Sequence, residues 1–389
     1  MIRRAILPAI LSLAFVAASC GAQSTGETAA RAQSTPHGGA EAGRPFTVAA
    51  LGTFDEPWAL AIEPGMGRVF VTEKAGTLKL FDPATRRIAT VGGAPEVSYG
   101  GQGGFADVAF APDYAASHAL YLSWVKADSA GRRYGVIGRG TLRCAGADTC
   151  RVEGLKEIWR QRPALDTFGQ FALRIAFSPD GKYMFVSSGD LVKATPAQDL
   201  SNNLGKILRL LPDGSAAPGN PFAGKGSAAD QIWTLGHRNP LGLAFDPGGQ
   251  LWDLEHGPDG GDELNRLVAG DNYGWPIVSN GDNYDGTPIP RHSTRPDFHA
   301  PAVSWNPVIA PGGMIFYSGK LWPQWRGQAL IAGLKSEALV RVSLDGDRGK
   351  EEARYDMGKR MRGIAEAPDG AIYMIEDGER GRLLELRPD

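Results

Sequence analysis

RIAFSPDGKYMFVSSGD, residues 174–190, reads as a strand, a tight turn and a second strand. Apolar residues alternate on both sides of Pro179-Asp180-Gly181, which is the period of a pleated strand. Proline presets one turn dihedral and glycine accepts a positive φ, so Pro-Asp-Gly closes the hairpin. Relatives of this stretch recur along the chain. They are PWALAIEPGMGRVFVTEKAGTLKLFD from Pro57, GFADVAFAPDYAASHALYLSWV from Gly104 and PLGLAFDPGGQLWDLEHGP from Pro240. GMIFYSGKLWPQWRGQALIAGLKSEALVRVSLD from Gly313 and MRGIAEAPDGAIYMIEDGERGRLLELRPD from Met361 complete the set. Units of about 45–70 residues exceed helical repeats and suit propeller blades with insertions. One hairpin cannot bury its own apolar face, whereas radially stacked sheets can. In-phase recurrence also argues against a β-sandwich with coincidental turns. The expectation is an all-β, six-bladed β-propeller over residues 46–389.

Composition agrees. Apolar residues make up 42% and charged residues 22% of the 389, with 52 Gly and 27 Pro. That is a globular chain dense in turns. The net charge is −2 and no long basic run occurs, which excludes the electrostatic footprint of a nucleic-acid binder.

The first residues read as an export signal. Arg3 and Arg4 precede an apolar stretch, residues 5–18, too short for a comfortable membrane span. It ends in VAASC, so residues 1–20 fit a lipoprotein signal with Cys20 as the lipidated residue. An ordinary secretory signal is the alternative, since that motif prefers Leu where Ala17 stands. Either implies an exported protein, periplasmic and, if acylated, anchored to a membrane by lipid alone. Residues 21–45 have too little apolar surface to fold and read as a tether. Cys144 and Cys150, in CAGADTC, lack a nearby His for zinc and are expected to form a disulfide in an exported protein.

Polar clusters sit just before the inner strands or just after their partners, where blade ends converge on a central channel. They include Gln102 in GQGGFADV, Gln170 in FGQFALRI, and Arg238 and Asn239 in GHRNPLGLAF. Lys335 lies in AGLKSEALVRV, and Arg360 and Arg362 in GKRMRGI. Four cations, Arg238, Lys335, Arg360 and Arg362, come from three blades. Gathered at one mouth, they suit a ligand with several carboxylates. Each pairing with a surface acid is the bland alternative. EHGPDGGDELN adds oxygen donors for a hard cation, the carbonyls of Gly257 and Pro258 and the Glu263 carboxylate.

From about Phe46 onward the chain resembles the soluble glucose/sorbosone dehydrogenases. The resemblance rests on GQGGFADVAFAPDY, GHRNPLGLAFD, EHGPDGGDELN, NYGWP, GLKSEALVRVSLDG and RMRGIAEAPDGAIY. It implies a propeller that binds pyrroloquinoline quinone (PQQ) and calcium and oxidises aldose sugars, passing electrons to a respiratory quinone or cytochrome. By matching motifs, Gln102, Arg238, Asn239, Lys335, Arg360 and Arg362 correspond to PQQ contacts. Gly257 and Pro258 correspond to carbonyls on the calcium that bridges to the cofactor. Glu263 and Tyr273 correspond to ligands of a second, structural calcium.

One position departs. Aligning Arg174 and the Pro179-Asp180 turn puts Gln170 where the family motif H-F-G-x-R-L has the histidine that takes the proton from the C1 hydroxyl. Imidazole suits that task and an amide has no usable basic form. Gln170, Asp190 and Arg238 are the candidates at the reacting centre. Asp190, matching the acid that orients the family's histidine, or His256 is a substitute base on one account. On the others, Gln170 only positions a different substrate, or the protein binds PQQ or sugar without efficient turnover. A calcium-dependent lactonase on a similar propeller needs a carboxylate-rich metal centre in the channel. His237, in GHRN, is expected to be structural.

Overall fold

The computed structural model describes residues 43–389 apart from Ala147. The export signal, Cys20 and the tether up to residue 42 lie outside the described residues. The described strands form six four-stranded antiparallel sheets. Their innermost strands are Pro57–Ile62, Phe105–Phe110, Ala172–Phe177, Pro240–Phe245, Pro311–Phe316 and Met361–Glu366. Each packs against the next, and the last against the first, so the sheets are the blades of a closed six-bladed propeller. Blades are numbered here by these strands.

Five blades are built from consecutive strands. Blade six takes Met361–Glu366, Ile372–Glu376 and Gly381–Arg387 from the C-terminus and its outer strand, Thr47–Phe54, from the other end. Thr47 pairs with Arg387 and Phe54 with Gly381. Phe46, just ahead of that strand, is buried edge-on to Trp322, Trp325 and Tyr355. The ring of blades is thereby fastened where the chain ends meet.

Apolar side chains fill the spaces between blades. Trp58, Tyr121, Phe171, Ile175, Met184 and Leu208 belong to one such cluster, and Phe70, Leu80, Phe105, Leu120 and Trp124 to another. The opening hairpin stretch forms as read, with Ile175 opposite Val186 and Phe177 opposite Met184. Cys144 and Cys150 face each other across strands Arg133–Cys144 and Cys150–Arg160 and are disulfide-bonded.

Every inner strand carries a register slip at its start, between Pro57 and Ala59, Phe105 and Val108, Ala172 and Ile175, Pro240 and Gly242, Pro311 and Gly313, and Met361 and Gly363. A bulge bends the strand and re-aims its side chains. Repeated six times at one end, it opens one face of the ring. Below that face, Arg174 crosses the channel. It ion-pairs Asp107 of blade two at 3.2 Å and donates to Leu241 O of blade four (2.8 Å) and Gly312 O of blade five (2.7 Å). Gly312 is required there, because a Cβ would lie 2.5 Å from Arg362 O.

Candidate active site

The site grows from blade three. Gln170 is buried, with a φ of 56°. Its N–H donates to Gln102 Oε1 of blade two at 2.7 Å. Its side-chain amide has its nitrogen toward Asp190 and its oxygen toward Arg238, the sense in which both ends find partners. The nitrogen donates to Asp190 Oδ1, and the oxygen accepts from Arg238 Nη2 at 2.8 Å and Nη1 at 3.2 Å. Gly189 permits this approach, since a Cβ there would sit 1.9 Å from Gln170 O.

Asp190 is 1% exposed. Its carboxylate also accepts from Val192 N–H at 2.8 Å and from Trp275 Nε1–H at 2.8 Å. Burial pushes its pKa up, against those hydrogen bonds and Arg238. Both oxygens are engaged, Oδ1 by Val192 and Gln170 and Oδ2 by Trp275. Asp190 therefore does not stand free as a direct base.

Arg238 leaves blade four with its backbone N–H on Glu255 Oε2 at 2.6 Å. Its guanidinium donates to His256 O (3.3 Å) and to Tyr284 Oη (3.1 Å) and lies 5.3 Å from the Trp275 ring centre. Its Nε, like Asn239 Oδ1, is buried without a hydrogen-bond partner among the described residues. His256 Nε2 donates to Pro311 O at 2.7 Å, which leaves the lone pair on Nδ1. Burial and the cations Arg238, Arg362 and Arg360 push its pKa down to about 4, so it is neutral at pH 7 and a weak proton acceptor. Cations from blades four and six thus act on one ring.

The cations are not equivalent. Lys335 is exposed, and among the described residues its ammonium meets no carboxylate. Arg360 and Arg362, two of the four cations read from sequence, share Asp377, each at 2.8 Å. The buried Arg362 also covers the Trp58 ring at 4.0 Å. Two guanidiniums on one carboxylate still leave a net positive charge. Burial pushes Asp377 up, but Arg362 and Arg360 outweigh it and hold its pKa below the usual range.

Gly257, Pro258 and Glu263, the expected oxygen donors, line one cavity with Arg238 and His256. Asp262 accepts from Gly257 N–H (2.9 Å) and Ala310 N–H (2.7 Å), and burial pushes its pKa up to about 6. The Gly257 and Pro258 carbonyls accept no hydrogen bond among the described residues and border a cavity of about 10 Å³. Free carbonyls are the donors calcium takes. Glu263 and Tyr273 are the expected ligands of a second calcium. The Tyr273 hydroxyl is buried, donates to Arg266 O at 2.5 Å and accepts from Val268 N–H at 2.9 Å. Its backbone carbonyl accepts from His292 Nε2 at 3.1 Å.

His237, expected to be structural, has its ring held by polar partners. It is fully buried between Thr234 Oγ1 (2.9 Å), Glu255 Oε1 (3.0 Å) and Asp253 Oδ2 (3.2 Å). The sequence reading missed Trp275, Tyr284, Glu255, Asp262 and Asp377. Trp275 lies within the quoted NYGWP, and Tyr284 in an insertion, residues 272–305, rich in Gly, Pro and aromatics. Nothing in the sequence says which polar atoms they reach. Among the described residues, the pocket around Arg174 is lined by one acid, Asp107, which pairs with Arg174.

The sequence profile of the Glucose / Sorbosone dehydrogenase family matches residues 54–385. Aldose sugar dehydrogenase YliI of Escherichia coli (strain K12) is 36% identical over 340 residues, 86% of this chain and 90% of that protein. The crystal structure of the soluble aldose sugar dehydrogenase from Escherichia coli, in its apo-form, superposes with a TM-score of 0.82 at 34% identity. The alignment covers 88% of this chain and 100% of that one. The PQQ-bound aldose sugar dehydrogenase from Streptomyces coelicolor gives a TM-score of 0.71 at 29% identity, over 88% of this chain and 98% of that one.

Proposed function

Since the chain belongs to the glucose/sorbosone dehydrogenase family, we propose that it is a PQQ-dependent sugar dehydrogenase acting at C1 of an aldose. The observation that carries this is a set of unsatisfied polar groups among the described residues: Arg238 Nε and Asn239 Oδ1 are buried without partners, and the exposed Lys335 meets no carboxylate. Buried polar atoms are ordinarily paired, so orphans on a cationic rim point to a polyanionic ligand. Lys335, Arg238 and the Arg360–Arg362 pair would hold the carboxylates of PQQ, with Asn239 and Gln102 on its polar edges. The Gly257 and Pro258 carbonyls would hold a calcium ion. PQQ, when bound, supplies the oxidant that accepts hydride from the sugar.

This chain's own residues do the rest. Arg238 fixes the Gln170 oxygen, and Asp190 fixes its nitrogen, so the amide is held rigidly at the mouth. A second amide N–H remains to orient a substrate hydroxyl. The amide cannot take the hydroxyl proton. That proton must leave to water or to Asp190 through displacement of Gln170, and slow turnover follows. PQQ binding without efficient turnover is the second reading, favoured by the doubly clamped Gln170. Export, a lipid anchor at Cys20 and a respiratory quinone or cytochrome as acceptor belong to the same proposal.

The test is titration of apoprotein with PQQ and calcium, then addition of aldoses with a redox dye. Binding followed by dye reduction supports the dehydrogenase. Binding without reduction across a sugar panel supports the second reading, and no binding removes PQQ from the account.

A further inference from the structure

His292 lies between the two groups the family resemblance assigns to a second calcium. It sits on a single 3₁₀ turn, His292–Thr294, within the long insertion, and is 5% exposed. Its Nε2 donates to Tyr273 O at 3.1 Å, which fixes the tautomer and leaves the lone pair on Nδ1. That Nδ1 is buried, has no hydrogen-bond partner among the described residues and lies 3.8 Å from Glu263 Oε1. The ring therefore spans the space from the Glu263 carboxylate to the Tyr273 carbonyl, one nitrogen toward each. Calcium takes six to eight oxygens at about 2.3–2.6 Å, and imidazole nitrogen is a poor substitute. The turn that carries His292 is itself tied down. Arg291 donates to Ser279 O at 3.2 Å and pairs with Asp282 at 2.7 Å.

We propose that the His292 ring takes the place of the second calcium, tying blade four to the insertion without an ion. The inference rests on the family assignment but not on PQQ binding, so it is tested on full-length apoprotein without PQQ. Melting temperature is compared in EGTA and in millimolar calcium, for wild type, His292→Ala, Glu263→Gln and the double variant. The expected result is no calcium response that depends on Glu263 in the wild type. His292→Ala, with Glu263 and the Tyr273 carbonyl opened to an ion, gains a rise of several degrees, and Glu263→Gln removes that gain. A ligand that binds only the folded state must stabilise it. A wild-type calcium response that Glu263→Gln abolishes overturns the proposal, whether or not His292→Ala folds. Glu263 lines the cavity of Gly257 and Pro258 and His292 does not, so the gain on His292→Ala is what separates the two sites.

Discussion

The Gln170 amide nitrogen donates to Asp190 Oδ1 while its oxygen accepts from Arg238 at 2.8 Å, so one side chain joins a buried acid to a buried cation. Gln170→His would restore a titratable ring beside an acid able to orient it. The expected outcome is a rise in kcat for aldose oxidation of about 10²-fold, the low end for general base catalysis. A limb near the histidine pKa should enter the pH profile. An unchanged rate, with PQQ affinity and folding intact, would show that blade three no longer presents this position to the substrate.

Lys335 and Arg362 should respond differently to removal. Lys335→Ala deletes an exposed cation that pairs with no protein acid, so it should weaken PQQ binding by about tenfold or more and leave the melting temperature unchanged. Arg362→Ala strips Asp377 of a buried partner and uncovers Trp58, so it should weaken binding and also lower stability. Fluorescence titration with PQQ and thermal unfolding separate the two effects. Equal PQQ affinity in wild type and Lys335→Ala would remove Lys335 from the cofactor site.

Blade three holds its mouth at a conformational cost. Gln170, Ala172, Leu173, Leu191, Val192 and Ala194 all have positive φ without being glycine. Left-handed backbone costs an L-residue about 1–2 kcal/mol, partly offset by the greater chain entropy glycine loses on folding. Ala172, with a φ of 58°, stands at the glycine of the family motif H-F-G-x-R-L. Ala172→Gly should therefore raise stability by about 0.5–1 kcal/mol, read by urea unfolding. A loss of stability would mean that the buried methyl contributes more than the strain removes.

His237 ties stability to pH. Burial alone pushes its pKa down, but Asp253 and Glu255 outweigh it and raise it from 6.5 to about 9. A raised folded-state pKa gives stability that is complete below the unfolded value and is lost as pH climbs through the folded one. Unfolding free energy should fall between about pH 6.5 and 9, and the slope over that window should be smaller in His237→Gln. Identical slopes in the two proteins would show that the ring is neutral between its acids.

The opening hairpin and its relatives were legible because strand period and turn chemistry are local. Each Pro-Asp-Gly or equivalent turn joins strands adjacent in sequence, and six such units leave few architectures. The closing strand Thr47–Phe54 was not legible, because its partner Gly381–Arg387 lies at the other end of the chain. The sequence by itself therefore determined the blades, the family motifs and the glutamine at position 170. Only the tertiary structure decided what those residues touch. It set Asp377 between Arg360 and Arg362, turned the Tyr273 hydroxyl into the blade, and placed His292 against Glu263. A side chain's charge is written in its own chemistry, but its partners come from distant segments that only the closed ring brings within hydrogen-bond reach.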